Sequence, residues 1–298
     1  MERMNNPRVA VIGGVNMDIG GSPIAKLIMR DSNPGVITAR PGGVGRNIAH
    51  DLRLLGVEVS LVAAVGGDVY GQGILDSCAA LDIDMSLARI LPDMRSSTYL
   101  YVTDETGDME IGIADMDITS CITPEYIAEH LDKLNTFDAV VLDANLDAVT
   151  LEYAARNITV PIIADPVSTA KAVRLLPVLD RLWAIKPNIY EAEKLTGEND
   201  PEKAAAALNA AGVKRVFISL GEEGMLAADM DMCVRMPREF VTVVNTTGAG
   251  DAATAAIVWA GLQGRDVVGC ARAAVKAGAI TASVQGANNP ELSADKLQ

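Results

Sequence analysis

The stretch 245–257, NTTGAGDAATAAI, places two threonines and two glycines ahead of one carboxylate, Asp251, and follows it with small apolar residues. Threonine is a good helix N-cap. Glycine opens backbone conformations closed to other residues and leaves room for a ligand. The amides of a helix's first turn lack partners and sit at the positive end of its dipole. Together these make an anion site out of backbone, needing no net charge. A phosphate could then reach the amides of Gly248, Ala249 and Gly250 directly, with Thr247 at their edge. A carboxylate beside such an anion is unfavourable unless it has a task. Accepting a proton from a hydroxyl that attacks phosphorus would be one. The bland alternative is an ordinary acid in a helix's first turn.

Working outward, the small apolar run predicts a helix over 247–262, and Ala-Gly spacing predicts another over 267–284. Upstream, short β-branched runs at 8–12, 59–65, 137–143, 161–165, 182–186 and 215–220 read as buried strands. Helical patterns over 46–55, 70–81, 147–157, 170–180, 189–196 and 201–211 alternate with them. This rhythm predicts one α/β domain over 1–298 whose mostly parallel central sheet is covered on both faces. Late runs at 223–237 and 238–245 read as further short strands. The hairpin pattern at 97–114 and the extended segment 31–40 break the rhythm. They predict a small separate β-sheet, formed by about 31–40 and 96–115, that could close over a pocket and exclude water.

Of the 298 residues, 49% are hydrophobic, enough for a sizeable core, and a net charge of −14 argues against nucleic-acid or anionic-membrane partners. The cysteines Cys78, Cys121, Cys233 and Cys270 show no metal or redox spacing, as in reduced cytosolic proteins. The amino-terminal residues lack signal-peptide architecture, and the longest apolar stretch, 252–262, is too short to span a bilayer. A soluble cytoplasmic protein is expected.

Three further motifs carry chemistry. PGGVGRNIAHDLRLLG (41–56) sets Gly42, Gly43 and Gly45 before a helix that begins near Asn47, which suits a hydroxyl-rich ligand. Asn16 and Asp18 lie just past the first strand, at its carboxyl end, where open α/β sheets bind ligands and where the pair could hold a vicinal diol. In KPNIYEAEKLTG (186–197), Asn188 and Glu191 could face one Mg²⁺ through water, or could simply form a helix capping box. Ser219, Gly221 and Gly224 follow a strand as a candidate nucleotide-side loop.

In this order and spacing, Gly-Gly-x-Gly-x-Asn (42–47), Asn-x-x-Glu (188–191) and Thr-Gly-Ala-Gly-Asp (247–251) make the chain resemble the ribokinase-like sugar and nucleoside kinases over nearly its whole length. The resemblance implies a three-layer α/β/α domain with a β-sheet lid, a small-molecule acceptor, and ATP with Mg²⁺ as cofactors. The stretches 31–49, 64–72, 115–130 and 164–171 are most similar to members that phosphorylate the 5′-hydroxyl of a carbon-linked ribonucleoside. By position, Asp251 matches the base and Gly248, Ala249 and Gly250 the anion hole. Asn16, Asp18, Gly43 and Asn47 match ribose contacts, beside Gly42. Asn188 and Glu191 match the phosphate and magnesium positions. Ser219, Gly221, Gly224 and Thr247 match the nucleotide side, and Asn288 a stretch beside the adenine. Ser32, Asn33, Thr98 and Lys171 are candidates to read the base from the lid edge, over an apolar floor of Ile111 and Ile113. Family lids often pair in homodimers. Asn245 replaces an aspartate found in many relatives, in a loop that can bind a monovalent cation such as K⁺. Val44 replaces the lysine of ribokinase, which weakens simple ribose as the acceptor. The nearest rival reading is another kinase of the same fold acting on an adenosine-like nucleoside or ribose, and a more distant one is a non-catalytic nucleoside-binding regulator on the same scaffold.

Overall fold

The computed structural model describes residues 6–298. The part of the leader reading that falls on residues 1–5 lies outside them. In chain order the strands are β1 (Arg8–Ile12), β2 (Asn16–Pro23), β3 (Gly35–Gly42), β4 (Glu58–Val62), β5 (Ala64–Gly66), β6 (Arg89–Leu91), β7 (Thr98–Thr103), β8 (Met109–Asp115), β9 (Ala139–Asp143), β10 (Ile162–Asp165), β11 (Ala184–Ile185), β12 (Arg215–Ser219), β13 (Met225–Ala228) and β14 (Cys233–Met236). The α-helices are α1 (Val44–Leu54), α2 (Val69–Ala79), α3 (Pro124–Leu134), α4 (Ala148–Asn157), α5 (Thr169–Ala172), α6 (Ile189–Thr196), α7 (Pro201–Ala210), α8 (Ala249–Leu262) and α9 (Val267–Ala282).

The main sheet has the order β14-β13-β12-β11-β10-β9-β1-β4. It is parallel from β4 to β12 and antiparallel at β13 and β14. The continuous apolar runs follow from burial on both faces. Along β1, Val9 and Val11 point into one core, which α1, α8 and α9 cover. Ala10 and Ile12 point into the other, covered by α3, α4, α6 and α7. The three-layer α/β/α architecture expected from the strand–helix rhythm is thus present.

β1 pairs with β4 on one side and β9 on the other, so the winding of the chain reverses between β1 and β9. Open α/β sheets bind ligands in the crevice beyond the carboxyl ends of strands at such a reversal. The loop after β1 and the residue ending β9 meet there, where the Gly14 N–H donates to Asp143 Oδ2 at 2.8 Å.

A second sheet of four strands has the order β3-β2-β7-β8. It is wider than the 31–40 and 96–115 segments, because Asn16 and Asp18 lie on strand β2 rather than in a loop. Residues 31–34 form no strand, and β3 begins at Gly35. In β2 the sheet needs space at Gly20, where a Cβ would lie 2.5 Å from the Tyr101 ring. Residues 238–245, expected as a strand, are irregular and largely exposed, beyond Pro237. The expected helix at 170–180 is one α-turn, α5, followed by a 3₁₀ stretch through Arg181 that accommodates Pro177.

Candidate active site

The helix that carries Asp251 begins at Ala249, two residues later than the sequence suggests, and its N-cap is Gly248 rather than Thr247. Gly248 has φ 80°, in the left-handed region, and a Cβ there would lie 1.9 Å from the Ala287 carbonyl oxygen. Only glycine fits this turn. Thr247 instead donates its N–H to Asn245 Oδ1 at 3.1 Å. The Ala249 N–H turns back to the Thr246 carbonyl at 3.3 Å, so it is the least free of the three proposed cradle amides. No side chain caps the helix, which leaves the positive end of its dipole without a side-chain partner.

Asp251 stands in that first turn and accepts from Asn47 Nδ2 at 2.9 Å. Burial, and then the charge of Asp165, push its carboxyl up to about 7, against the pull of Asn47 and Lys186. Asp165 is buried and accepts from Thr254 Oγ1 at 2.7 Å. The buried Lys186 ammonium lies 3.5 Å from Asp165 Oδ2, and 3.1 Å from where a Gly250 Cβ would be. Burial alone would lower this lysine, but Asp165, Glu191 and Asp251 outweigh it and raise it. Asp143 is wholly buried, and desolvation lifts it to about 6 although Gly14 and Asn145 N–H groups bond its ionised form. Asp143, Asp165 and Lys186 are not among the candidate residues read from the sequence. The signal was present: two strands end in aspartate at the carboxyl edge of the sheet, and Lys186 opens the Lys-Pro-Asn run.

The structure brings the candidate acceptor-side residues together. Asn16 Nδ2 donates to Asp18 Oδ1 at 2.5 Å, on one face of β2. Burial raises the Asp18 carboxyl above its usual range against this bond. A Cβ on Gly42 would lie 2.0 Å from Asp18 Oδ2, and one on Gly43 would lie 3.0 Å from Asn16 Oδ1. Gly43 has φ 97° and starts α1, which carries Asn47 to Asp251.

Asn188 and Glu191 form a full capping box: Glu191 N–H donates to Asn188 Oδ1 at 2.9 Å and Asn188 N–H to Glu191 Oε2 at 2.8 Å. Among the described residues no three His, Cys, Asp or Glu side chains group to hold a metal ion. One carboxylate with a second, uncapped oxygen still fits Mg²⁺, which keeps several waters and takes phosphate oxygens as ligands. Ser219 bridges to Asn188 across the strand ends. Gly221 has open space around it, whereas a Cβ on Gly224 would lie 2.2 Å from the Met236 carbonyl.

The other candidate residues make contacts of their own. Asn288 is committed to α1: its Nδ2 donates to Asp51 Oδ1 at 2.9 Å and to the Asn47 carbonyl at 3.2 Å. Lys171 is on α5, not the lid edge, and donates to Asn145 Oδ1 at 2.6 Å. The Asn33 side chain closes its own loop through Ile28 and Asp31, beside an exposed Ser32. Thr98 Oγ1 donates to the Ser96 carbonyl. Ile111 and Ile113 pair across from Val102 and Leu100, and Leu100 pairs with Ile19. Side chains alternate along a strand, so these isoleucines sit on the face opposite Asp18 and cannot floor its pocket in the same protomer. Two surface hollows, of about 410 Å³ at Trp183 and Lys214 and about 300 Å³ at Arg8 and Glu58, open at the amino ends of strands, away from these residues.

The model of the pfkB family carbohydrate kinases matches residues 6–294. The chain belongs to this family. Within it, the chain is 36% identical over 292 residues to a pseudouridine kinase of Escherichia coli (strain K12), covering 96% of this chain and 93% of that protein. It is 27% identical over 261 residues to a guanosine-inosine kinase of Exiguobacterium acetylicum, covering 84% and 86%. A carbohydrate kinase from Agrobacterium tumefaciens superposes with TM-score 0.88 at 28% identity, covering 98% and 95%. Ribokinase of Arabidopsis thaliana, complexed with ribose and ATP, shares the fold with TM-score 0.85 at 22% identity, covering 98% of each chain. The pfkB membership makes this chain a kinase that transfers phosphate to a hydroxyl group.

Proposed function

We propose that this kinase transfers the γ-phosphoryl group of ATP to the 5′-hydroxyl of a nucleoside, with pseudouridine as the acceptor. The observation that carries the reading is the Asn47–Asp251 hydrogen bond, which joins the acceptor-side glycine motif to the acid at the cradle. Near-full-length similarity to a pseudouridine kinase supports the choice of acceptor. Asn16, Asp18 and the Gly42–Gly43 backbone orient the ribose hydroxyls. Asp251 takes the proton of the attacking hydroxyl, and a carboxyl near 7 is matched to that task. The first-turn amides around Gly250 face the charge that develops on the equatorial oxygens. Glu191 would hold Mg²⁺ through water, and the ion would neutralise charge on the β- and γ-phosphates. Ser219 and Gly221 line the nucleotide side. Asn245 bonds to Thr247 and Gly286, so its side chain serves the loop itself, and no K⁺ requirement is proposed.

The second sheet acts as a lid, and its exposed apolar face pairs with that of a second copy. The test of substrate is a panel of pseudouridine, uridine, inosine, adenosine and ribose with ATP·Mg²⁺, read as ADP release. Pseudouridine should give the highest kcat/KM by at least about tenfold, the scale of the cost of one buried polar group left unpaired. A higher value for another acceptor would reassign the substrate, and no ADP release with any of them would favour a binding regulator.

A further inference from the structure

A ring of contacts starts and ends on the first turn of α8. Asn47, on α1, donates to Asp251. The Asn288 amide donates to the Asn47 carbonyl and to Asp51, and accepts from Arg46 Nη1 at 3.2 Å. The adjoining Ala287 carbonyl fills the space that a Cβ on Gly248, the cap of α8, would need. Arg46 also donates to Ser77 Oγ at 2.8 Å and faces Asn47 Oδ1 at 3.4 Å. An asparagine amide can sit either way round. The guanidinium draws Oδ1 toward itself, so the NH₂ faces the Asp251 carboxylate. Reversed, an oxygen would confront that carboxylate.

The ring carries an energetic burden. Arg46 is 6% exposed and Asp51 0%. Arg46 Nε, His50 Nδ1 and Asp51 Oδ2 are buried with no hydrogen-bond partner among the described residues. Half-satisfied charged networks are less stable than apolar packing of the same volume. Packing alone does not account for this one, whereas a need for fixed orientation does.

We propose that Arg46 and Asn288 are positioning residues for the phosphoryl transfer: they lock the Asn47 amide onto Asp251 and bind the start of α8 to the acceptor-side helix. This rests on the kinase reading above. The charged and titratable groups around Asp251 are Asp51, Asp143, Asp165 and Lys186, and those around Arg46 are Asp18, Asp51, His50 and Cys78.

The test compares Asn288→Ala and Arg46→Lys with wild type in the pH profile of kcat/KM and in thermal melts. Asn47 donates to the ionised Asp251, so losing its aim raises that carboxyl and moves the acid limb to higher pH. Turnover should fall about tenfold, the loss of one charge-assisted bond, with KM for ATP within about twofold. A lower melting temperature with an unmoved limb would mean a merely structural ring and overturn the proposal. So would unchanged kinetics. If Asn288→Ala does not fold, Arg46→Lys, which keeps the charge, decides by the same limb. A wild-type chain that turns over no acceptor sinks the kinase reading itself, which separates the two failures.

Discussion

In the proposed reaction, a carboxylate beside the phosphate must be basic enough to take a proton and yet tolerable when charged. Asp251 meets the first need through burial and the second through Asn47 and Lys186. Its folded pKa, about 7, lies above its ordinary value, so the stability linked to its protonated form is present at low pH and lost as pH rises through 7. Asp251→Asn should therefore cut kcat by at least about 100-fold, as removal of a general base does, and leave nucleoside affinity nearly intact in calorimetry. The same variant should melt at least about 2 °C higher than wild type at pH 8 and no higher at pH 4. Near-wild-type turnover would remove the base assignment. Lys186→Met tests the other partner. Its loss raises the Asp251 carboxyl further, so the acid limb of kcat/KM shifts upward, and stranding buried Asp165 destabilises the fold by about 3–5 kcal/mol. An unshifted limb in a folded Lys186→Met protein would show that the ammonium does not reach Asp251 electrostatically.

Elements place these residues, and here the readable and the unreadable part company. The buried strands β1, β4, β9, β10 and β12 were legible because a parallel strand covered on both faces must be apolar throughout. Strand β2 was not: Asn16, Asp18, Gly20 and Gly21 spell a turn, and the strand exists because Tyr101 covers Gly20 and β3 and β7 flank it. Helix α3 had its signals, a Thr123 cap and Pro124 in the first turn with Ile127 and Leu134 buried, yet the 115–130 stretch that holds its start reads as a resemblance and not as a helix. The first-turn geometry of α8 was legible as glycine chemistry, but its exact start was not, because Gly248 is dictated by Ala287, 39 positions away in sequence. That dependence is testable. Gly248→Ala meets both an unfavourable φ of 80° and a carbonyl 1.9 Å from its new Cβ. It should destabilise the protein by more than about 1 kcal/mol and raise KM for ATP more than KM for the nucleoside. Denaturant melts with two-substrate kinetics would check this, and equal effects on both KM values would mean that the cradle does not bind the nucleotide's phosphate.

At the scale of the molecule, the reversal between β1 and β9 gathers Gly14, Asp143 and the acceptor motifs at one end of the sheet, and β2 carries the chain from there directly into the second sheet. The two faces of that sheet differ. Asp18 shares its face with Arg40 and Tyr99, while Ile19, Leu100 and Ile113 lie on the other in register. On that second face Ile37 is 78% exposed, Ile111 52% and Ile113 59%. A contiguous apolar face of this kind marks an interaction surface, and pairing with a copy of itself would cover it by two-fold symmetry. It would also seat Ile111 and Ile113 where they can reach a partner's site, which the pleat denies them in their own protomer. The double variant Ile37→Asp, Ile113→Asp should then run as a monomer in light scattering where wild type runs as a dimer. Its KM for the nucleoside should rise while the KM for ATP holds. A wild-type chain monomeric at every concentration tested, or a variant that stays dimeric, would remove the lid from the interface.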